Sequence, residues 1–235
     1  MRKDSSVSAE LLLGIPVFCQ LPPRARLEIA NQASGRWCSA GETVMRRGDA
    51  SRDVHWVASG LVRVVYSTRA GKDITMRDLG PGDMFGELSA VDERPRSAGV
   101  VAVVESLLVV VKAQDFRALL AANEQFMLSV MTHFAGLVRA LSERVVEFSV
   151  LQVAHRVRAE IVRLAKVDPS NPQRGIIRRL PTHADVASRI SSHREAVSRE
   201  FATLYRLGLI ERQHGGIVVP DLEQLRSSAD LDSVL

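Results

Sequence analysis

The chain has 235 residues, 46% hydrophobic and 25% charged, an ordinary globular composition that excludes a disordered or collagen-like chain. Two cysteines, Cys19 and Cys38, are too few for a disulfide framework or a four-thiolate cluster, and the longest apolar run, 98–111, is too short to span a bilayer. Residues 151–226 hold 13 Lys/Arg against 8 Asp/Glu and residues 1–150 hold 18 against 17, so a basic C-terminal third suggests a nucleic-acid-binding module on a neutral body.

Residues 1–9 are polar and read as a frayed start, with no signal peptide, so a cytoplasmic protein is expected. Residues 10–18 and 23–33 read as short helices, the second with Ala25, Ile29 and Ala33 at steps of four. From Arg36 to Val111, turn signals recur at roughly ten-residue spacing: Gly41-Glu42, Gly48-Asp49, Ser59-Gly60, Gly71-Lys72 and Gly80-Pro81-Gly82-Asp83. Val-rich segments such as 61–66 and 99–104 lie between them. A sandwich or barrel of short strands is expected.

On that scaffold, Phe85-Gly86-Glu87-Leu88-Ser89-Ala90-Val91-Asp92-Glu93-Arg94-Pro95-Arg96-Ser97-Ala98 concentrates the chemistry. Gly86 leaves the backbone free to take positive φ or to approach a ligand closely. Glu87, an acceptor-only group, suits a pair of sugar hydroxyls. Arg96 offers a planar fork to phosphate oxygens, and Ser97 adds a hydroxyl beside it. Were Leu88–Val91 to coil as one turn, its free amides would face the same anion. These groups describe a nucleotide monophosphate site.

Asp115 opens a helical region with Phe116, Leu119 and Leu120 apolar, and Asn123-Glu124 reads as the cap of the next helix. From Glu124 to Phe148 the chain has no proline and one glycine, Gly136. Val130, Phe134, Leu137, Leu141, Val145 and Phe148 form a narrow seam at steps of three and four. Such a helix, nearly ~40 Å long, buries its stripe best against a twin, which makes a homodimer the expectation. Residues 151–165 read as a further amphipathic helix and 167–175, with two prolines, as a loop without structure.

Thr182 is placed to cap a helix, with Asp185 favouring its positive end and Val186, Ala187 and Ile190 inward. Ser191-Ser192-His193 makes a turn, and the helix from Arg194 buries Val197, Phe201 and Leu204. That is a helix-turn-helix pattern. Arg194 and Arg199 suit guanine O6/N7, and Glu195 suits cytosine N4. Residues 210–219 add a hairpin, turning at Gly215-Gly216, that makes the module winged. Six scattered histidines (His55, His133, His155, His183, His193 and His214) read as surface or capping residues. No nucleophile–base set or metal motif is present, so neither catalytic residues nor a metal is expected.

The 85–98 string resembles the phosphate-binding cassette of cyclic-nucleotide-binding domains: Phe-Gly-Glu-Leu-Ala, a short turn, then Pro-Arg-Ser/Thr/Ala-Ala. Glu87 and Arg96 stand nine residues apart, which looks like the form found in kinase regulatory subunits and cyclic-nucleotide-gated channels. Thr182–Arg199 resembles the DNA-binding motif of the Crp-Fnr family of bacterial transcription regulators, with Arg194, Glu195, Val197 and Arg199 in matching order. Ser191 departs from it, standing where a turn glycine is usual. Together the likeness runs from about residue 15 to about 220.

The resemblance implies an α+β fold: an N-terminal jelly-roll-like β-roll (10–122), a long dimerisation helix (123–150) and a C-terminal winged helix-turn-helix (151–226). It implies a cyclic nucleotide, cyclic AMP ahead of cyclic GMP, held by Gly86, Glu87, Leu88, Arg96 and Ser97, with Leu141 and Ser142 at the purine. Leu141 stands where the family has threonine and has no hydrogen bond to offer, so the preferred base stays open. It implies an allosteric homodimer whose hinge lies near 148–153. Thr182, Ser192, His193, Arg194, Glu195 and Arg199 would meet an inverted repeat with TGTGA-like half-sites, and RNA polymerase would be a partner. The alternative is a regulator of the same fold that answers another effector or none.

Overall fold

A computed structural model describes residues 5–68, 73–213 and 215–229, which fall into two compact units meeting at Ala135/Gly136. Residues 1–4 of the expected frayed start, the Gly71-Lys72 turn and His214 lie outside the described residues.

In the first unit, one antiparallel sheet orders Ser5–Ser6, Ser34–Cys38, Ser106–Val111, Val54–Ser59 and Met84–Phe85. The other orders Thr43–Met45, Gly99–Ala102, Val62–Ser67 and Asp73–Leu79. Between them Val57, Val62, Leu79, Phe85, Val100 and Leu108 form one core. The first sheet is covered on its far side as well, where Trp56 and Val109 meet Leu12, Phe18, Phe116 and Phe126 from helices. Strand Val54–Ser59 shows the consequence in sequence. Alternate side chains go to opposite faces, both faces are buried, and so its first four residues are all inside. The rings of Phe18, Trp56, Phe116 and Phe126 lie 4.8–6.1 Å apart. Each such pair adds about 0.5–1.5 kcal/mol beyond its buried area.

Three expectations change here. The helix expected over 10–18 is two, Ala9–Leu13 and Pro16–Cys19. Ile15 is held extended before Pro16 (φ −113°, ψ 113°), which stops the first helix from continuing. Ser5–Ser6 pairs with Ser34 and Gly35, and Val7 is buried, so the start is tied down from Ser5 on. His55 is neither a surface nor a capping residue. It is buried and stacks on Phe85 at 4.9 Å; burial first, then the charges of Arg96 and Arg36, lower its pKa to about 3. The imidazole is therefore neutral at pH 7.

Ala113–Ala122 leads to the long helix Glu124–Val150, whose start is capped as expected: Phe126 donates its amide to Asn123 Oδ1 at 2.8 Å. The seam needs redrawing. Phe126 and Val130 are buried in the first unit's own core, so Val130 is not available to a partner. Met127, Met131, Val138, Leu141, Val145 and Phe148 are exposed, and with half-buried Phe134 they repeat in alternating steps of four and three; Leu128 and Val150 are exposed outside this repeat. The helix has two apolar stripes at its N-terminal end, and only packing tells them apart.

In the second unit, Val153–Leu164 is followed by a four-stranded sheet in the order Lys166–Asp168, Asn171–Ile177, Gly216–Val219, Glu211–Gln213. The segment 167–175 is thus a hairpin rather than a structureless loop. Asp168 Oδ1 accepts from the amide (2.9 Å) and hydroxyl (2.7 Å) of Ser170, which closes the turn. Pro172 falls where the register shifts, so its missing N–H breaks no ladder bond. In the second hairpin Gln213 pairs with Gly216, so Gly216 already belongs to the strand. Val157, Ile161, Val186, Val197, Phe201 and Leu204 fill the core beneath the helices.

Candidate functional site

The cassette is built on the short pair of residues Met84–Phe85 and the helix Glu87–Asp92. Gly86 joins them with φ +84°, and a Cβ there would stand 2.7 Å from Arg96 Nη1 and 2.9 Å from the Asp53 carbonyl. Only glycine fits, on conformational and on steric grounds. Arg96 reaches back across this gap. Nη1 donates to the Gly86 carbonyl at 2.7 Å, Nη2 to the Asp53 carbonyl at 2.7 Å, and Nε to Ser51 Oγ at 3.1 Å. Three of the roughly five guanidinium hydrogens are thereby used, and the remainder are left for a ligand. Burial pulls the Arg96 pKa below its usual value, and Asp53, Glu87 and Asp49 act against that shift.

Glu87 and Arg96 are both buried, at 3% exposure each, although both are charged types. Leu88 and Ser97 are exposed. The short helix begins at Glu87, one residue earlier than the turn read from sequence. His133 of the long helix, which the sequence reading did not place at this site, brings Nε2 to 3.6 Å from Glu87 Oε1. Leu141 and Ser142 are both exposed on the same helix, and the Ser142 hydroxyl donates to the Val138 carbonyl at 3.0 Å. They belong to the second unit.

The second unit presents the helix pair. Thr182 caps His183–Arg189 in a capping box: its Oγ1 accepts from the Asp185 amide, and the Asp185 side chain accepts from the Thr182 amide, both at 3.1 Å. Ser191 takes the left-handed conformation (φ +50°) that the departure from glycine demands. The helix Arg194–Arg206 follows, with His193 at its N-cap position. Thr182, His193, Arg194, Glu195 and Arg199 are exposed and Ser192 is half-buried. No hydrogen bond or ion pair among the described residues ties Arg194, Glu195 or Arg199, so these side chains are open to a ligand. His183 Nδ1 lies 2.8 Å from Ser198 Oγ and holds the two helices together.

A buried ion cluster under this pair has no counterpart in the sequence reading. Glu147 and Glu160 are each 2% exposed. Arg144 Nη1 reaches Glu147 at 3.2 Å and Glu160 at 3.1 Å, Arg163 bonds both carboxylates, and Arg189 approaches Glu160 at 3.5 Å. Arg144 also donates to the Arg189 carbonyl, and Arg156 to the Ile190 carbonyl at 3.1 Å. Two cations thus sit on the negative C-terminal end of the helix His183–Arg189.

Among the described residues, no group of three or more His, Cys, Asp or Glu could hold a metal ion, and no helix is long and apolar enough to cross a membrane.

Two family models match the chain in series: the cyclic nucleotide-binding domain over residues 36–123 and the Crp-like helix-turn-helix domain over 155–228. The chain belongs to the Crp-Fnr family. Members of the family are transcription regulators with a cyclic nucleotide-binding domain and a helix-turn-helix DNA-binding domain, and none of these matches is to a catalytic family. The cyclic AMP receptor protein of Thermus thermophilus is 29% identical over 223 residues, covering 92% of this chain and 97% of its own. A CooA variant from Carboxydothermus hydrogenoformans shares the fold, with a TM-score of 0.75 over 97% of this chain and 98% of its own, at 16% identity. So does the c-di-GMP responsive regulator CLP of Xanthomonas campestris, with a TM-score of 0.67 over 82% of this chain and 96% of its own, at 17% identity.

Proposed function

We propose that this Crp-Fnr regulator is a homodimer that binds an inverted-repeat DNA site in response to a cyclic nucleotide. The observation that carries the effector reading is the buried pair Glu87 and Arg96, both held by the one cassette. Two charged side chains inside a β-roll lose hydration that a ligand's ribose hydroxyls and phosphate would restore. In this reading Glu87 accepts from the ribose, and Arg96, Ser97, Leu88 and the Gly86 backbone surround the phosphate. Leu141 and Ser142 meet the purine. Cyclic AMP, named for the Thermus relative, is the first ligand to test, and cyclic GMP the second. The chain is read as a β-roll over 10–122, a dimerisation helix over 123–150 and a DNA module over 151–226, in a cytoplasmic protein that also meets RNA polymerase.

The exposed stripe from Met127 to Phe148 supports dimerisation, since a stripe of that length left in water is costly. The nucleotide acts only by binding the DNA-competent arrangement better than its alternative. A second reading, activity without a cyclic nucleotide, draws on the three internal bonds that already occupy Arg96.

In the DNA reading, Arg194, Glu195 and Arg199 face base edges while Thr182, Ser192 and His193 approach the backbone. Two recognition helices about one duplex turn apart fit half-sites roughly 10–11 base pairs apart, centre to centre. Arg199→Ala is expected to weaken binding by about 1–3 kcal/mol and to relax preference at one G·C pair of a TGTGA-like half-site. Affinities for the palindrome and for point-substituted duplexes read this directly. Equal weakening on every sequence, with a flatter salt dependence, would make Arg199 a phosphate contact instead.

A further inference from the structure

A cavity of about 720 Å³ lies on the far side of the first sheet, away from the core between the sheets. Trp56 and Met84, which face each other across the ladder, line it together with Val130 of the long helix, and all three are buried in the core on that side. Pro16 and Val17 of the helix Pro16–Cys19 add further apolar surface. Gln20 and Ser129 are polar members of the lining, joined by a hydrogen bond from Ser129 Oγ to Gln20 Oε1 at 3.1 Å. The whole lining belongs to the first unit, and its volume is in the range that holds a small organic molecule.

The chemistry of the lining selects its occupant. Trp56 is 1% exposed, yet its indole N–H enters no hydrogen bond among the described residues and is not one of the polar atoms sealed from open space. The donor therefore meets the cavity, and because an indole only donates, the missing acceptor has to come from an occupant. Charge points the same way. Among the described residues no lysine or arginine lines the cavity. Its carboxylate, Asp83, is exposed and accepts from the Gly80 amide at 2.8 Å, and His133 brings Nε2 to 3.6 Å from Glu87 Oε1. An anion here would give up hydration beside a carboxylate with no guanidinium or ammonium group to compensate it. The cavity also stands clear of the exposed stripe: Thr132, an exposed residue of its lining, lies about 140° round the helix from Met127.

We propose that this cavity is a second ligand site, for a neutral, largely apolar organic molecule whose carbonyl or ether oxygen accepts from the Trp56 indole N–H. None of residues 85–98 lines it, and it lies on the opposite face of the sheet from Phe85, so it is separate from the nucleotide site and does not depend on that reading. Met84 gives it a route to the cassette all the same. The pair Met84–Phe85 runs directly into Gly86, and a molecule packed on Met84 bears on the frame that holds the Gly86 carbonyl to Arg96.

The test is calorimetric titration of the full chain with three probes of similar shape: benzophenone, diphenylmethane, which lacks the carbonyl, and 4-benzoylbenzoate, which adds a negative charge. Wild type is expected to bind benzophenone roughly threefold to tenfold tighter than diphenylmethane. The benzoate should bind about tenfold more weakly than benzophenone. Trp56→Phe keeps an aromatic ring and loses the donor. It should bring benzophenone down to the affinity of diphenylmethane while leaving diphenylmethane within about twofold, a pattern that a general loosening of the core would not give. Thr132→Phe, at an exposed position, should obstruct the cavity and weaken both neutral probes. Irradiating the benzophenone complex should place adducts on Val17, Met84 or Leu128, which line the site. Equal affinity for the two neutral probes, tightest binding of the benzoate, no change in either variant, or adducts confined to the exposed stripe or to residues 85–98 would overturn the assignment. So would the absence of benzophenone binding to wild type.

Discussion

Arg96→Ala is expected to abolish detectable cyclic-nucleotide binding. The side chain is the cassette's own cation, and losing a charged donor to phosphate in a partly desolvated loop costs about 2–4 kcal/mol. The structure adds a second consequence that the sequence does not show. Arg96 ties Gly86, Asp53 and Ser51 together, so its removal takes a donor from two half-buried carbonyls and loosens the loop as well. A melting curve alongside the titration separates the two effects. Glu87→Gln provides the contrast, since it keeps one ribose acceptor and none of the three bonds involves Glu87. It should weaken binding less and leave the melting temperature near that of wild type. Equal affinity in Arg96→Ala and wild type would remove Arg96 from the phosphate.

Glu160→Ala should be the most destabilising single change in the second unit. It leaves Arg144, Arg163 and Arg189 around the one remaining carboxylate of Glu147. Breaking a buried ion pair from one side typically costs about 3–5 kcal/mol, because the charges left behind are no longer compensated. The loss also releases Arg144, which grips the Arg189 carbonyl at the end of the first helix of the helix-turn-helix. Denaturant unfolding should show the midpoint fall with little change in slope. A stability within about 0.5 kcal/mol of wild type would mean the cluster is solvated and contributes little.

Much of this was legible in the chain because the informative features are local. The cassette lies within fourteen consecutive residues and the helix-turn-helix within eighteen, from Thr182 to Arg199. Capping by Thr182 and Asp185, and the buried set Val186, Ile190, Val197 and Phe201, follow from spacing along one helix pair. The failures are tertiary. Pro169 and Pro172 looked like breakers, yet Asp168 and Ser170 turn that segment into a hairpin and a register shift absorbs Pro172. Val130 and Met131 are both apolar at helical spacing, and only the neighbouring core decides which one faces outward. Glu160 meets partners 16 and 29 residues away, and no local pattern marks it.

Nucleotide occupancy and DNA affinity are expected to be coupled. This coupling is tested most directly by measuring the dissociation constant for a palindromic TGTGA-like duplex with and without saturating cyclic GMP or cyclic AMP, at fixed salt. A coupling free energy of about 1–3 kcal/mol, or roughly fivefold to 150-fold tighter DNA binding with at least one nucleotide, is the expected result. The same gain should vanish in Arg96→Ala. Identical affinity with and without either nucleotide, in a protein that binds the duplex tightly, would mean that DNA binding is independent of the nucleotide.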